Sequence, residues 1–316
     1  MRIRLPILLV GGLAAAPLPL AAQAPRPIAV PVVDSAALWR TFTALAADSM
    51  EGRRTASGGS ARARALLLRH LRTAGVAPYG ASYEHRFPIS GRDTSIREGI
   101  NVIGVVRGAD TSRVVVVSAH YDHEGVRNGA IYNGADDNAS GTAAVLALAA
   151  WYAKHPPRHT VVFAVFDGEE RGLLGARAFA PKRGERTAIV ANVNLDMVAR
   201  LDKNELYAAG ATPWPQFRPL LEATARTAPV KLLLGHDSDA DGPGNNWTRQ
   251  SDQGAFHAAG IPWVYFGVED HPDYHRPTDD ADKVNPGRYV NAVRTIADFI
   301  ARLDQSLDDL PPPSRP

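Results

Sequence analysis

The amino-acid sequence predicts a three-layer α/β/α domain around a mostly parallel, mixed sheet. Three observations carry that expectation. Residues 114–119 and 160–166 are uninterrupted apolar runs rich in β-branched side chains, the pattern of strands covered on both faces. Segments with helical spacing alternate with such runs along the chain. Acids or histidines follow the runs at their carboxyl ends, where open α/β sheets build their sites.

The elements follow in order. Residues 25–33 read as an extended lead-in, and Asp34 or Ser35 caps a helix running to about residue 47. A second helix spans 57–73 and stops at Gly75. Strands at 82–89 and 101–106 precede the buried strand 114–119. The Ala/Leu-rich helix 142–154 ends at Pro156-Pro157, before the second buried strand, 160–166. A short helix at 173–180 and a strand at 188–195 come next. Residues 215–227 read as a helix, and 230–234 and 262–267 as strands, with Phe256 on a helix between them. The last helix runs from 286 to about 303, with Pro286 in its first turn. No linker divides the chain, so residues 25–310 are expected to form a single domain.

Composition narrows the chemistry. The 316 residues are 45% hydrophobic and 22% charged, ordinary for a globular enzyme. Arg2 and Arg4, the apolar stretch from Leu5 to Leu20, and Ala22-Gln23-Ala24 resemble a signal peptide over residues 1–24, which predicts an exported, periplasmic or secreted bacterial protein. Without those residues 33 basic and 33 acidic side chains remain (35 − 2 against 33), so charge gives no argument for nucleic acid or an anionic membrane surface. Residues 311–316 read as a disordered tail. With no Cys, neither thiolate ligands nor a disulfide scaffold are available. Metal chemistry must come from His, Asp and Glu.

Those residues recur after the apolar runs: His120-Tyr121-Asp122, Asp136-Asp137, Asp167-Gly168-Glu169-Glu170, Leu195-Asp196, and Tyr274-His275 in a later loop. Each alone reads as a cap or turn; the set reads as one metal site. His120, Asp136, Glu170, Asp196 and His275 are the candidate ligands. Imidazole and carboxylate without thiolate suit two Zn2+ ions, with Co2+ or Mn2+ as substitutes. Three carboxylates and a bridging hydroxide balance two divalent ions, and the loop at 133–138 is the source expected for a bridging carboxylate. Asp122, two residues after His120, can accept the second ring N–H of that imidazole, and Asp279 can do the same for His275. Glu169 diverges from Glu170 and is the candidate general base.

At these residues the chain resembles the M28 family of zinc-dependent exopeptidases, the bacterial leucyl aminopeptidase or aminopeptidase Y type. The stretches that carry the resemblance are Ser118-Ala-His-Tyr-Asp-His123, Asn133-Gly-Ala-Asp-Asp-Asn-Ala-Ser-Gly141, Phe166-Asp-Gly-Glu-Glu-Arg-Gly-Leu-Leu-Gly-Ala-Arg177, Val193-Asn-Leu-Asp-Met197 and Tyr274-His-Arg-Pro-Thr-Asp279. The resemblance implies that Asp136 bridges two zinc ions, that His120 and Asp196 complete one and Glu170 and His275 the other, and that Glu169 is the base. It also implies a cis Asp136–Asp137 peptide, a Tyr274 that hydrogen-bonds the tetrahedral intermediate, and peptide substrates with a free N-terminus. Ser251-Asp252-Gln253 departs from the family's Ser-Asp-His block at Gln253. Trp247, Phe256 and Tyr265, with Trp214 and Phe217, are the expected substrate-pocket aromatics. The competing readings are a single-zinc glutaminyl-cyclase-like acyltransferase, a carboxypeptidase using Arg200 or Arg249, and a non-catalytic metal-binding protein. Asp237-Ser-Asp-Ala-Asp-Gly242 matches the opening of an EF-hand loop, but position 12 is Thr248 where a bidentate Glu is needed. It reads as a polar loop, with calcium binding the lesser alternative.

Overall fold

The computed structural model describes residues 30–90, 96–185 and 187–310. The predicted signal peptide and the tail at 311–316 lie outside the described residues. Among the described residues no helix is long and apolar enough to cross a membrane.

Helix α1 (Ser35–Leu45) begins where the Asp34 carboxylate accepts the Ala37 N–H, 2.9 Å away. Helix α2 (Gly58–Ala74) is capped by Ser57 and ends at Gly75, whose φ of 77° is the left-handed stop expected of glycine. Then come β1 (Ala77–Pro78), β2 (Glu84–Pro88), β3 (Glu98–Val106) and β4 (Asp110–His120). A small hairpin, β5 (Gly125–Arg127) and β6 (Ala130–Tyr132), leads into α3 (Gly141–Lys154). The rest of the order is β7 (His159–Phe166), α4 (Leu174–Phe179), β8 (Ile189–Leu195), β9 (Glu205–Ala209), α5 (Arg218–Thr227), β10 (Lys231–Leu234), α6 (Gln253–Ala259), β11 (Trp263–Gly267) and α7 (Pro286–Ser306).

The nine-stranded sheet runs β1-β3-β7-β4-β8-β11-β9-β10, with β2 also paired to β3. The four central strands, β7, β4, β8 and β11, are parallel, and antiparallel pairs flank them at β3/β7 and β11/β9. The β-branched runs explain this placement. Val115, Val117 and Ala119 face a core shared with α1, α2, α3, α5 and α7, while Val114 and Val116 face a smaller core with α4 and α6. A strand with both faces buried takes a polar side chain only where a partner meets it, as Ser118 of β4 meets Asn192 and Asn194 of β8 at 2.9 and 2.7 Å. His120 and the acids that follow β7 and β8 stand together at the carboxyl ends of β4, β7 and β8, at one edge of the sheet.

The structure adds β9 and the β5/β6 hairpin, which the sequence pattern did not indicate. β9 reads Glu-Leu-Tyr-Ala-Ala, too short and alanine-rich to stand out. Residues 215–217 form a separate 3-10 turn, so α5 begins only at Arg218. Phe256 and Phe217 are corrections to the substrate pocket. Both are fully buried: Phe256 packs with Phe166 and Phe179, and Phe217 packs against Phe299. An apolar ring on a short amphipathic element goes to the core before it goes to a ligand.

Phe256→Ala is accordingly expected to cost about 3–5 kcal/mol of stability, as cavity formation in a core does, read as a lowered denaturant midpoint. An unchanged midpoint with an altered KM would return Phe256 to the substrate pocket.

Candidate metal centre

Three strand ends supply the first side chains. His120 closes β4, Glu169 and Glu170 follow β7, and Asp196 follows β8. His120 Nε2 lies 3.2 Å from Asp196 Oδ1 and 4.0 Å from Glu169 Oε2. His275, from the loop before α7, puts Nε2 3.4 Å from Glu170 Oε2. Asp137 stands between the two groups, with Oδ1 3.4 Å from His120 Nε2 and Oδ2 3.0 Å from His275 Nε2.

Asp137 therefore takes the place between the two groups where the sequence pattern leads to an expectation of Asp136. The Asp136 carboxylate turns the other way. It accepts the Ala199 and Arg200 amides at 2.7 and 3.2 Å, and its second oxygen faces His271 Nε2 at 3.3 Å. The cis peptide likewise falls one residue later, at Asp137–Asn138. In a loop with neither helical nor strand period, adjacent acids cannot be sorted by spacing, and only the backbone path decides which one faces inward.

That path is set by buried contacts. Gly134 adopts φ 54°, and a Cβ at Gly141 would come within 2.2 Å of the Leu195 carbonyl oxygen, so the loop can lie against the end of β8 only with glycine there. Asn138 ties the two together, its Nδ2 donating to Leu195 O at 2.9 Å and its Oδ1 accepting from Gly141 N at 2.8 Å. Arg53, fully buried, donates to the carbonyls of Leu45, Tyr121, Asn133 and Gly134 at 2.6–2.9 Å. Burial brings its pKa down to about 10, with Asp137, Asp279, Asp122 and Glu170 opposing that fall. Sequence reasoning missed Arg53, because a lone arginine in an Arg-Arg pair carries no positional signal.

Asp122 and Asp279 are present, in different roles from those expected. His120 Nδ1 meets the Asp122 backbone carbonyl at 3.2 Å, whereas the carboxylate is 3.8 Å away. That carboxylate accepts the Glu169 amide at 3.0 Å and the Thr55 hydroxyl at 3.1 Å, and so fixes the start of the Glu169-Glu170 turn. Asp279 serves the loop rather than His275: its carboxylate accepts the amides of Asp136 and Asp137 at 3.1 Å. The contact on the Glu170 side of the cluster comes from His123, whose Nδ1 is 2.6 Å from Glu170 Oε1. The sequence showed His123 within a matching motif but gave it no role.

The aromatic expectations divide. The Tyr274 ring stacks on His275 at 3.9 Å and lines the cleft. Tyr265 sits behind the site, its hydroxyl donating to the Asp196 carbonyl at 3.0 Å. Trp247 stacks on His236 and packs edge-on to Tyr265, also behind the wall. The open cleft, about 330 Å³, is lined instead by Leu173, Met197, Tyr274, Arg177, Arg249 and Gln250 around the acids. Leu173, Met197 and His275 all have positive φ, near 50–60°, which marks a backbone bent to shape the cleft. Arg200 is paired with Asp273 at 2.8 Å and Asp202 at 3.1 Å, so it is not free to receive a substrate carboxylate. Gln253 bridges Asn194, at 3.0 Å, to the Trp247 carbonyl, at 2.7 Å. In the EF-hand-like stretch, Asp237 accepts the Gly210 and Thr212 amides and Asp241 caps Ser238, so these acids are spent on a turn.

Electrostatics separate the adjacent glutamates. Burial pushes Glu169 well above the usual carboxyl range; His120 opposes this, and Asp252, Asp196 and Glu170 add to it. Burial also works against Glu170, but the hydrogen bond and charge of His123, with His120 and His275, hold it down at about 2. His275 loses basicity to burial and regains more from the Asp137 hydrogen bond and Glu170, ending at about 9. Asp252 is fully buried, neither of its oxygens has a hydrogen-bond partner among the described residues, and burial raises it to about 7.

The donor set fits zinc. Ligand atoms 2.0–2.1 Å from a tetrahedral ion stand about 3.3 Å apart, and the imidazole–carboxylate distances above cluster around that value. Asp137, Glu169, Glu170 and Asp196 also outnumber the three imidazoles among them, His120, His123 and His275, so the cluster calls for further positive charge.

The comparisons with known proteins agree with this chemistry. The sequence model of peptidase family M28 matches residues 101–300. A probable zinc metalloprotease of Pyrenophora teres f. teres is 32% identical over 204 residues, covering 60% of this chain and 42% of that protein. Aminopeptidase YwaD of Bacillus subtilis is 30% identical over 204 residues, covering 61% and 42%. The chain thus spans less than half the length of these curated relatives. Among solved structures, BSAP, a zinc aminopeptidase from Bacillus subtilis, superposes with a TM-score of 0.70 at 17% identity, over 85% of this chain and 95% of that one. Porphyromonas gingivalis glutaminyl cyclase gives 0.67 at 16%, over 85% and 98%. These structures share the fold.

The unlike surroundings of the two adjacent acids predict unlike effects of removing them. Asp137→Ala should abolish tight zinc binding. Asp136→Ala should keep zinc and lose about 2–4 kcal/mol of stability through two stranded amides, read by metal analysis and denaturation. Zinc binding at neutral pH should also release protons, because His275 is protonated below about 9 and must be neutral to ligate. Zinc affinity should therefore rise as pH approaches 9, measured by calorimetry in buffers of different ionisation enthalpy.

Proposed function

Because the chain belongs to peptidase family M28, whose model covers 200 of its 316 residues (101–300), we propose that it is a zinc-dependent aminopeptidase with a dinuclear centre. His120 and Asp196 would hold one ion, His275 and Glu170 the other, and Asp137 both. The observation that carries this reading is Asp137, with one oxygen toward each imidazole at 3.4 and 3.0 Å. When bound, two zinc ions polarise a peptide carbonyl and make a water molecule acidic enough to attack near neutral pH.

The chain's own groups supply the rest. Glu169 stands beside His120 but outside the closest ligand distances. A position beside the ligand set but not within it suits a carboxylate that takes a proton and then gives it up. It accepts a proton from the attacking water as the C–O bond forms, and returns it to the amine nitrogen as the C–N bond breaks. The Asp122 carboxylate positions Glu169 through the backbone amide, without touching the substrate. Tyr274, in the cleft wall beside His275, is the group assigned to the developing oxyanion. The α-amine of the substrate is drawn to the acidic end of the cleft, where Glu169, Glu170, Asp137 and Asp196 converge.

The likeness to a glutaminyl cyclase supports a second reading on the same fold, with one zinc and an intramolecular acyl transfer. The presence of His120 and Asp137 beside Asp196 favours two ions and hydrolysis.

Glu169→Gln is expected to retain zinc and to lower kcat by about 10²–10⁴-fold on aminoacyl-anilides, since one general acid–base group is removed. Full activity in that variant would remove Glu169 as the base. A matched panel of peptides with free, acetylated and N-terminal glutaminyl ends completes the test. Cleavage indifferent to acetylation would contradict the aminopeptidase reading, and conversion of the glutaminyl peptide to a pyroglutamyl product would favour the cyclase.

A further inference from the structure

The cleft is electrically polarised along its length. Its inner end carries Asp137, Glu169, Glu170 and Asp196, and its outer wall carries Arg177 and Arg249. The same two arginines, with Leu173, also line a neighbouring trough of about 600 Å³, to which Lys182 and Arg183 add two more cations. The trough therefore continues the cleft, and no Asp or Glu lines it. Glu185, two residues beyond Arg183, is held by the Lys182 backbone amide at 3.0 Å.

Both arginines are exposed, and among the described residues neither forms a salt bridge with a carboxylate. Arg177 projects from α4, and Arg249 ends the 3-10 turn at Trp247–Arg249, so the two come from separate elements to a shared wall. Their field reaches the surroundings. His257, on α6, has its pKa lowered by burial and further by Arg249 and Arg183. Elsewhere on this surface arginines pair with acids, as Arg64 does with Glu84 and Arg127 with Glu124.

Such a cleft matches a molecule that is positive at one end and negative at the other. On the aminopeptidase reading, on which this inference rests, the α-amine lies at the acidic end and the leaving portion extends toward the arginines. We propose that Arg177 and Arg249 determine specificity by binding a carboxylate on the leaving portion of the substrate, so that the preferred substrates are short peptides with a free C-terminal carboxylate. An acidic side chain just beyond the cut bond presents the same chemistry. Guanidinium groups suit this task, since they stay charged and offer paired N–H donors to a carboxylate.

The test compares kcat/KM for leucyl-p-nitroanilide, Leu-Ala-Ala, Leu-Ala-Ala-amide and Leu-Ala-Glu-amide with the zinc-loaded full chain and its Arg177→Gln/Arg249→Gln variant. The wild type is expected to favour Leu-Ala-Ala over its amide by about tenfold or more, the worth of a charge-assisted hydrogen bond. The advantage should shrink as salt is raised, and should fall to near unity in the variant. A matching preference for Leu-Ala-Glu-amide would identify any nearby carboxylate as the ligand; its absence would identify the chain terminus. Equal turnover of Leu-Ala-Ala and its amide by the wild type would overturn this proposal and leave the aminopeptidase reading standing. No turnover of any of the four would overturn that reading, and the proposal with it.

Discussion

The molecule is organised around a crowd of buried acids that cannot all be ionised without cations. Asp137, Glu169, Glu170 and Asp196 meet at one end of the sheet, with Asp122, Asp252 and Asp279 just behind. Burying a carboxylate is costly unless a positive charge or several donors receive it. The protein supplies part of that charge through His120, His123, His275 and the buried Arg53. The raised pKa values of Glu169, Asp122, Asp252 and Asp279 show what remains unbalanced by protein groups alone.

Holding those acids in register is the work of the fold. The parallel strands β7, β4 and β8 fix His120, Glu169, Glu170 and Asp196 relative to one another, since adjacent strands are locked by their ladders. Asp137 has no strand to hold it. Arg53 gathers four carbonyls from three segments, Asp279 gathers two amides, and Asn138 pins the loop to Leu195. These contacts substitute for secondary structure and set the direction of one carboxylate. The same arrangement leaves the two glutamates in unlike surroundings, one beside His123 and the other beside Asp252.

How far the sequence revealed this depended on periodicity. The buried strands were legible because a continuous β-branched run has one interpretation at that length. Side chains at strand ends inherited that clarity, and His120, Glu169, Glu170 and Asp196 do converge. Asp136 was misassigned because it lies in a loop, where neighbouring acids diverge by an amount no spacing records. Asp122 and Asp279 were recognised as supporting groups, but their partners are backbone amides of distant segments, which sequence does not display. Aromatic residues carried the least information. Phe256 and Phe217 are core, Trp247 and Tyr265 form a backing layer, and only Tyr274 reaches the cleft.

The central claim is a pair of zinc ions sharing Asp137. The most direct measurement is a crystal structure of the zinc-loaded protein with anomalous data collected across the zinc edge. Two zinc peaks are predicted, about 3.5–4 Å apart, one toward His120 and Asp196 and one toward His275 and Glu170, with the Asp137 carboxylate between them. A single peak, or a peak held by Asp136 and His271, would contradict the account.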